Sequence, residues 1–176
     1  MKKAIIIGFI CIISNCCTKI NESEQLSISK TPYMGDELRI DGFYYQKWDN
    51  DTRFCDITFL YNNGVVFQRG GGGDLSELSD CASQSYFSND VMDKKAFWGL
   101  FHIENDSIIY EYWSGTELGY IVYREEGKII NDTTFLMTEQ SQMKQGDKTE
   151  TRPIEWIYYF EHFSPKPDSI NSVIPN

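Results

Sequence analysis

The chain has 176 residues, of which 41% are hydrophobic, 15% aromatic and 24% charged. This globular composition excludes a disordered or collagen-like polymer and makes one compact domain the default. Sixteen Lys and Arg against 26 Asp and Glu give a net charge of -10, and so acidic a surface repels phosphate backbones, which argues against nucleic acid as a partner.

The first segment reads as a delivery signal. Met1-Lys2-Lys3 is basic and precedes the ten-residue apolar run Ala4–Ile13. A bilayer-spanning helix needs about 20 apolar residues, so this run has the length of a signal-peptide core instead. At its end, Ile13-Ser14-Asn15-Cys16 resembles a bacterial lipobox. The resemblance implies a lipoprotein signal peptide over residues 1–15, acylation of Cys16, and a membrane anchor of diacylglycerol plus an N-acyl chain such as palmitate. Reading Cys17 as the acylated residue would put Ser14 at the aliphatic position. The expected localisation is the bacterial cell envelope, as an outer membrane lipoprotein with its face left open. Residues 16–37 are polar and Ser/Thr-rich and read as a flexible tether.

From about Leu38 the hydrophobic pattern has period two with repeated turn signals, which predicts antiparallel sheet. A first strand runs from Leu38 to Trp48 and ends at Asp49-Asn50-Asp51. Cys55–Tyr61 and Val65–Arg69 flank Asn62-Asn63-Gly64, whose Asn-Gly step predicts a hairpin. The run Gly70–Gly73 reads as a flexible hinge, since no Gly-Lys-Ser/Thr comes after it to make a phosphate loop. Asp74 and Glu77 resemble a capping box that opens a short helix bearing Leu75, Leu78 and Ala82, and a second short helix spans Asn89–Ala96. Phe97–Glu104 and Ser107–Trp113 are the next strands. Gly119–Arg124 and Lys128–Asn131 then flank a turn at Glu125-Glu126-Gly127. The last pair is Thr133–Gln140 and Ile154–Phe163, joined by a polar loop from Met143 to Arg152. The expected fold is therefore all-β: an antiparallel meander of eight or nine strands closing into a barrel over residues 38–176, with one or two short helices between strands three and four and an irregular tail. Closure would remove exposed strand edges.

This domain resembles the lipocalin-like lipoproteins of Gram-negative bacteria. Gly42-Phe43-Tyr44 stands where a lipocalin has Gly-x-Trp, with an early Asn-Gly hairpin and late meander strands behind it. The resemblance covers Leu38 to Phe163 and implies a calyx for a small ligand. Arg152 precedes the predicted last strand, so the arginine that closes a lipocalin base is not carried over to it.

Few residues suggest chemistry. His102 and His162 lack metal-site spacing, although His102 and Glu104 share a strand face. There is no nucleophile elbow, so the expectation is no enzyme, no cofactor and no metal. Two function classes remain open. The first is a binding module whose aromatic interior takes a small apolar or amphipathic ligand, with Tyr44, Phe59, Phe67, Trp98 and Tyr158 as lining candidates. The second is an accessory lipoprotein whose barrel is filled by its own side chains and binds another envelope protein. Cys55 and Cys81 either pair, which would stabilise by about 3 kcal/mol through loop closure, or remain buried thiols. Asp106-Ser107-Ile108, Asp132-Thr133-Thr134 and Asp168-Ser169-Ile170 resemble a bacterial O-glycosylation motif, which implies Ser107, Thr133 and Ser169 as acceptors.

Overall fold

The computed structural model describes residues 25–47, 53–82, 91 and 93–175. Eight strands form a closed antiparallel barrel in sequence order. They are β1 (Gly42–Lys47), β2 (Arg53–Leu60), β3 (Val65–Asp74), β4 (Trp98–Glu104), β5 (Ser107–Thr116), β6 (Gly119–Asn131), β7 (Thr134–Lys144) and β8 (Asp147–His162). Closure is made by β1 against β8, in register from Gly42↔His162 to Gln46↔Tyr158. Between β3 and β4 lie a 3-10 turn (Leu75–Glu77), helix α1 (Leu78–Ala82) and a second 3-10 turn (Lys95–Phe97). Asp74 caps the first of these by accepting from the Ser76 backbone N–H, which is the role its sequence position predicts. The expected second helix, Asn89–Ala96, lies mostly outside the described residues. So does the Asp49-Asn50-Asp51 turn.

Three local expectations are corrected. Gly70–Gly73 is not a hinge but the second half of β3, with Gly70 opposite Asp56 and Gly73 opposite Phe54; the ladder to β2 removes the freedom the glycines would have alone. Glu125-Glu126-Gly127 is not a turn but a bulge inside one continuous strand, so that of the expected eight or nine strands the barrel has eight. The polar segment from Met143 to Arg152 is not a loop. Its residues extend β7 and β8 to a tight turn at Gln145-Gly146, where both residues have positive φ, and Thr151 pairs Ser141 across the ladder.

The alternation along each strand sorts the side chains into two sets. Tyr110 on β5 and Gln68 on β3 both reach the hydroxyl of Tyr158 on β8, at 3.3 and 3.4 Å. These strands are not neighbours, so the contacts cross the lumen. Tyr44, Leu60, Val66, Phe101, Ile108, Phe135 and Met137 belong to the same buried cluster, and they fill the lower half of the barrel. Phe135 stacks on Tyr158 with centroids 4.7 Å apart, and Tyr44 lies 4.9 Å from Phe135. The second set, centred on Phe43, Phe59, Phe67, Trp98, Trp113 and Val122, points outward. Trp98 sits 4.8 Å from Phe67 in an edge-on contact and is fully buried.

Such an outer apolar stripe has to be covered, and the chain covers it with its own ends. Leu78 and Ala82 of α1, Leu26 and Ile28 before the barrel, and Val173 and Ile174 behind it all pack on the stripe. From residue 25 the segment expected to be a free tether is therefore docked. Its first anchor is Glu111, which points outward and has no exposed surface. The Glu111 carboxylate accepts from the Ser27 backbone N–H at 2.5 Å, the Ser27 hydroxyl at 2.5 Å, the Ile28 N–H at 3.2 Å and Arg124 at 3.2 Å.

The strap then runs to the end of the barrel that holds the β2–β3, β4–β5 and β6–β7 turns. There the Tyr33 N–H donates to Asn62 and the Arg39 N–H to Asp132. The Tyr44 hydroxyl donates between the carbonyls of Arg39 and Asp132, at 2.9 and 3.1 Å. Arg39 lies over the Phe160 ring at 4.4 Å, and Leu38 is buried. This end is the closed base.

Candidate functional site: a polar cup at the barrel mouth

Above the aromatic base the lumen changes character. Tyr123, Gln140, Gln142, Glu150, Thr151 and Arg152 line a cavity of about 330 Å³ that opens to solvent. The register explains the grouping: Gln140 pairs Arg152, Gln142 pairs Glu150 and Tyr123 pairs Gln142. Residues two apart on a strand share a face, so β6, β7 and β8 each present polar side chains to the same space.

A chain of hydrogen bonds leads from this cup into the lumen. Arg152 donates twice to the Gln140 side-chain carbonyl, from Nε at 2.9 Å and Nη2 at 2.5 Å. With its oxygen so engaged, the Gln140 amide turns its nitrogen inward and donates to Glu125 at 2.8 Å. Glu125 also accepts from the hydroxyls of Tyr110 at 2.5 Å and Tyr112 at 2.9 Å. The carboxylate is completely buried. Burial pushes its pKa above the ordinary carboxylate range, the three donors pull it back down, and the nearby Asp56 charge pushes it up again. Tyr110 and Tyr112 are held well above the usual phenol range, first by burial and then by the Glu125 charge, so they remain neutral donors.

The chain therefore has two tiers. Glu125 touches no solvent and acts by fixing the amide of Gln140. Arg152, Gln142, Glu150 and Tyr123 are the groups a solute would meet. Among the described residues no group of three metal-ligating side chains is gathered.

The five lining candidates do not share one chamber. Tyr44 and Tyr158 point into the lumen, whereas Phe59, Phe67 and Trp98 lie on the outer face beneath the chain ends. The hydrophobic pattern marks all five as buried but cannot say on which side. Cys16 lies outside the described residues, as do the side chains of Cys55 and Cys81. Ser107 is exposed at the start of β5, the Thr133 hydroxyl donates to Asn131 at 2.8 Å, and the Ser169 hydroxyl accepts from Asn63 at 3.0 Å. All three stand at the base. His102 and Glu104 are partly exposed and 4.0 Å apart.

Sequence reasoning missed Glu125, Gln140 and Arg152. The alternations Tyr123/Glu125, Gln140/Gln142 and Glu150/Arg152 would have found them, had the strands been extended through the polar residues.

Fold and site together define an eight-stranded antiparallel barrel with a sealed aromatic base and a polar cup at its open end. No known family matches the chain, and no solved structure does. Glycosyl hydrolase family 109 protein 3 of Phocaeicola vulgatus is 24% identical over 183 residues, an alignment that covers 94% of this chain and 33% of that protein. The chain thus spans about a third of the length of the curated relative it matches. Among the described residues no helix is long and apolar enough to cross a membrane.

Proposed function

We propose that this chain is an envelope-anchored, lipocalin-like lipoprotein whose barrel holds a small polar or amphipathic molecule in the cup at its mouth. The observation that carries the reading is the cup itself, a solvent-open cavity of about 330 Å³. That volume is at the lower end of the range for ligand sites. Its polar groups are preorganised by the Arg152–Gln140–Glu125 chain rather than free to collapse on one another. The lower lumen is occupied by Tyr44, Phe101, Tyr110, Phe135 and Tyr158, so an apolar tail would have to stay near the mouth.

The anchor rests on the lipobox-like Ile13-Ser14-Asn15-Cys16. The strap adds a geometric consequence. Ser27 lies beside Gly146 at the tip of the β7–β8 hairpin, which is a turn of the mouth. The eleven residue steps back to Cys16 span about 40 Å at most. Acylation of Cys16 would therefore keep the mouth close to the membrane.

The accessory-protein reading has less support, because the large outer apolar stripe is covered by the chain's own ends. The name of the Phocaeicola relative makes a saccharide one ligand to include among the probes.

The test is native mass spectrometry of the full-length protein, purified in mild detergent from cells that produce it. The expected result is a reproducible non-covalent added mass that disappears on denaturation and is lost in Gln142→Ala. A clean mass both before and after incubation with a whole-cell small-molecule and lipid extract overturns the reading.

A further inference from the structure

We infer that the cup selects a small zwitterionic group, with its anionic end on Arg152 and its ammonium end on Glu150; the inference rests on the cup being a ligand site. The starting point is the contrast with three other cations of the barrel. Arg124 is held by Glu111 and Glu126, and Lys148 by Glu126 and Glu139. Arg39 is held by Asp41. Arg152, which lines the cup, has no carboxylate partner among the described residues, in a chain whose net charge is -10.

Its side-chain partners are the neutral oxygen of Gln140 and the Trp156 ring at 5.7 Å. A guanidinium has five N–H donors. Two are committed to Gln140, which locks the plane and leaves the Nη1 pair and one Nη2 hydrogen for an acceptor. That fork fits a carboxylate or phosphate oxygen pair.

Glu150 supplies the opposite charge. It lies two residues before Arg152 on β8, on the same strand face, and lines the same cavity. No ion pair joins it to Arg152 or to any other described residue. Two strand rises set the two residues about 7 Å apart along β8. A short zwitterion whose acid and amine are a few bonds apart, as in the P–O–C–C–N link of phosphoethanolamine, offers one charge to each side chain through a charged hydrogen bond of about 2.8 Å at each end. Tyr123 pairs Gln142 and lines the same cavity, and an aromatic ring in the lining adds an attraction for an ammonium group. A plain anion would meet Glu150 unfavourably and a plain cation would meet Arg152. Only a ligand carrying both charges satisfies both side chains.

Such a group occurs free in solution and as the headgroup of a zwitterionic phospholipid. The test titrates the full-length protein in detergent with O-phosphoethanolamine, inorganic phosphate and ethanolamine, following the Gln142 side-chain amide signals by NMR. O-phosphoethanolamine is expected to bind about tenfold or more tightly than either half. Glu150→Gln, on the exposed rim, and Arg152→Gln should each bring it down to the level of a half. Equal binding of phosphate and O-phosphoethanolamine, unchanged in Glu150→Gln, overturns the zwitterion and leaves the cup as an anion site. If all three probes fail while the native mass spectrum shows a bound molecule, the inference falls and the proposed function stands; if both fail, both fall. Vesicles containing phosphatidylethanolamine give the source: competition with the soluble probe assigns the headgroup, and its absence assigns a free molecule.

Discussion

Glu125 shows how one residue couples stability to the shape of the cup. Its folded pKa is raised, so between the ordinary Glu range and that raised value the native state binds more protons than the unfolded state, and stability falls as pH rises. Glu125→Gln removes the ionisation at nearly constant volume. Its stability relative to the parent should increase as pH rises from about 4.5 in urea melts, and a flat difference would show that the Glu125 pKa is the same in the folded and unfolded states. Glu125→Leu leaves Tyr110, Tyr112 and Gln140 without their acceptor and should cost about 3 kcal/mol at neutral pH.

Lys166 is the opposite case. Its ammonium donates to the carbonyls of Ile40, at 2.6 Å, and Leu60, and burial brings its pKa down to about 8. Below pH 8 it is charged in both states and the burial cost is fully present; stability is gained as pH rises from about 8 toward its ordinary value near 10.5. The Lys166 side-chain signal should titrate near 8 by NMR, and Lys166→Met should flatten that rise. A midpoint near 10.5 would mean that the tail leaves the base in solution. Neither environment is legible in the sequence, because Glu125 looks like a turn residue and Lys166 like a solvated tail residue.

At the scale of elements, the differences between expectation and structure coincide with particular glycines. Gly127 resembles a turn glycine, yet it sits in a bulge where a Cβ would collide with the Leu136 carbonyl oxygen. It is there for close backbone approach. Gly70, in the same kind of glycine-marked segment, would place a Cβ 3.3 Å from a flexible Asp56 oxygen. Gly127→Ala should therefore destabilise by about 2–3 kcal/mol, and Gly70→Ala should be neutral or stabilise by up to about 1 kcal/mol. Thermal melts of the two variants side by side check this, and equal losses would remove the distinction. The Asn62-Asn63-Gly64 hairpin is legible because its chemistry is local: Gly64 has φ +81, which its residue type permits without strain. The extensions of β7 and β8 are not, because their residues face a wet cup. Polar side chains there erase the apolar alternation that marks a half-buried strand.

Across the whole molecule, the chain ends complete a surface that the barrel cannot cover for itself. Its outer aromatic stripe is sealed by the strap and tail, and these are tied to each other where the Lys30 ammonium donates to the Pro175 carbonyl at 3.0 Å. The strap hangs on the buried carboxylate of Glu111. Glu111→Ala leaves Ser27 and Ile28 without their acceptor and Arg124 with Glu126 alone and should cost about 2 kcal/mol. The expected sign is rapid proteolytic cleavage within residues 25–33 while the barrel stays intact. Cleavage at the parent rate would show that apolar packing of Leu26 and Ile28 alone holds the strap.

By itself the sequence determined the all-β class, the order of strands, the position of the helical insert and the first hairpin. Those features come from local patterns: period-two hydrophobicity, Asn-Gly turns and an Asp cap. Tertiary structure alone decided which buried aromatics face the lumen and which face outward, since a strand's alternation separates two faces without naming the inner one. It also decided that Glu125, Gln140 and Arg152, spread over 28 residues of sequence on three strands, form one chain beneath a cup. That assembly depends on ladder register and barrel curvature, and neither is encoded in any short stretch of residues.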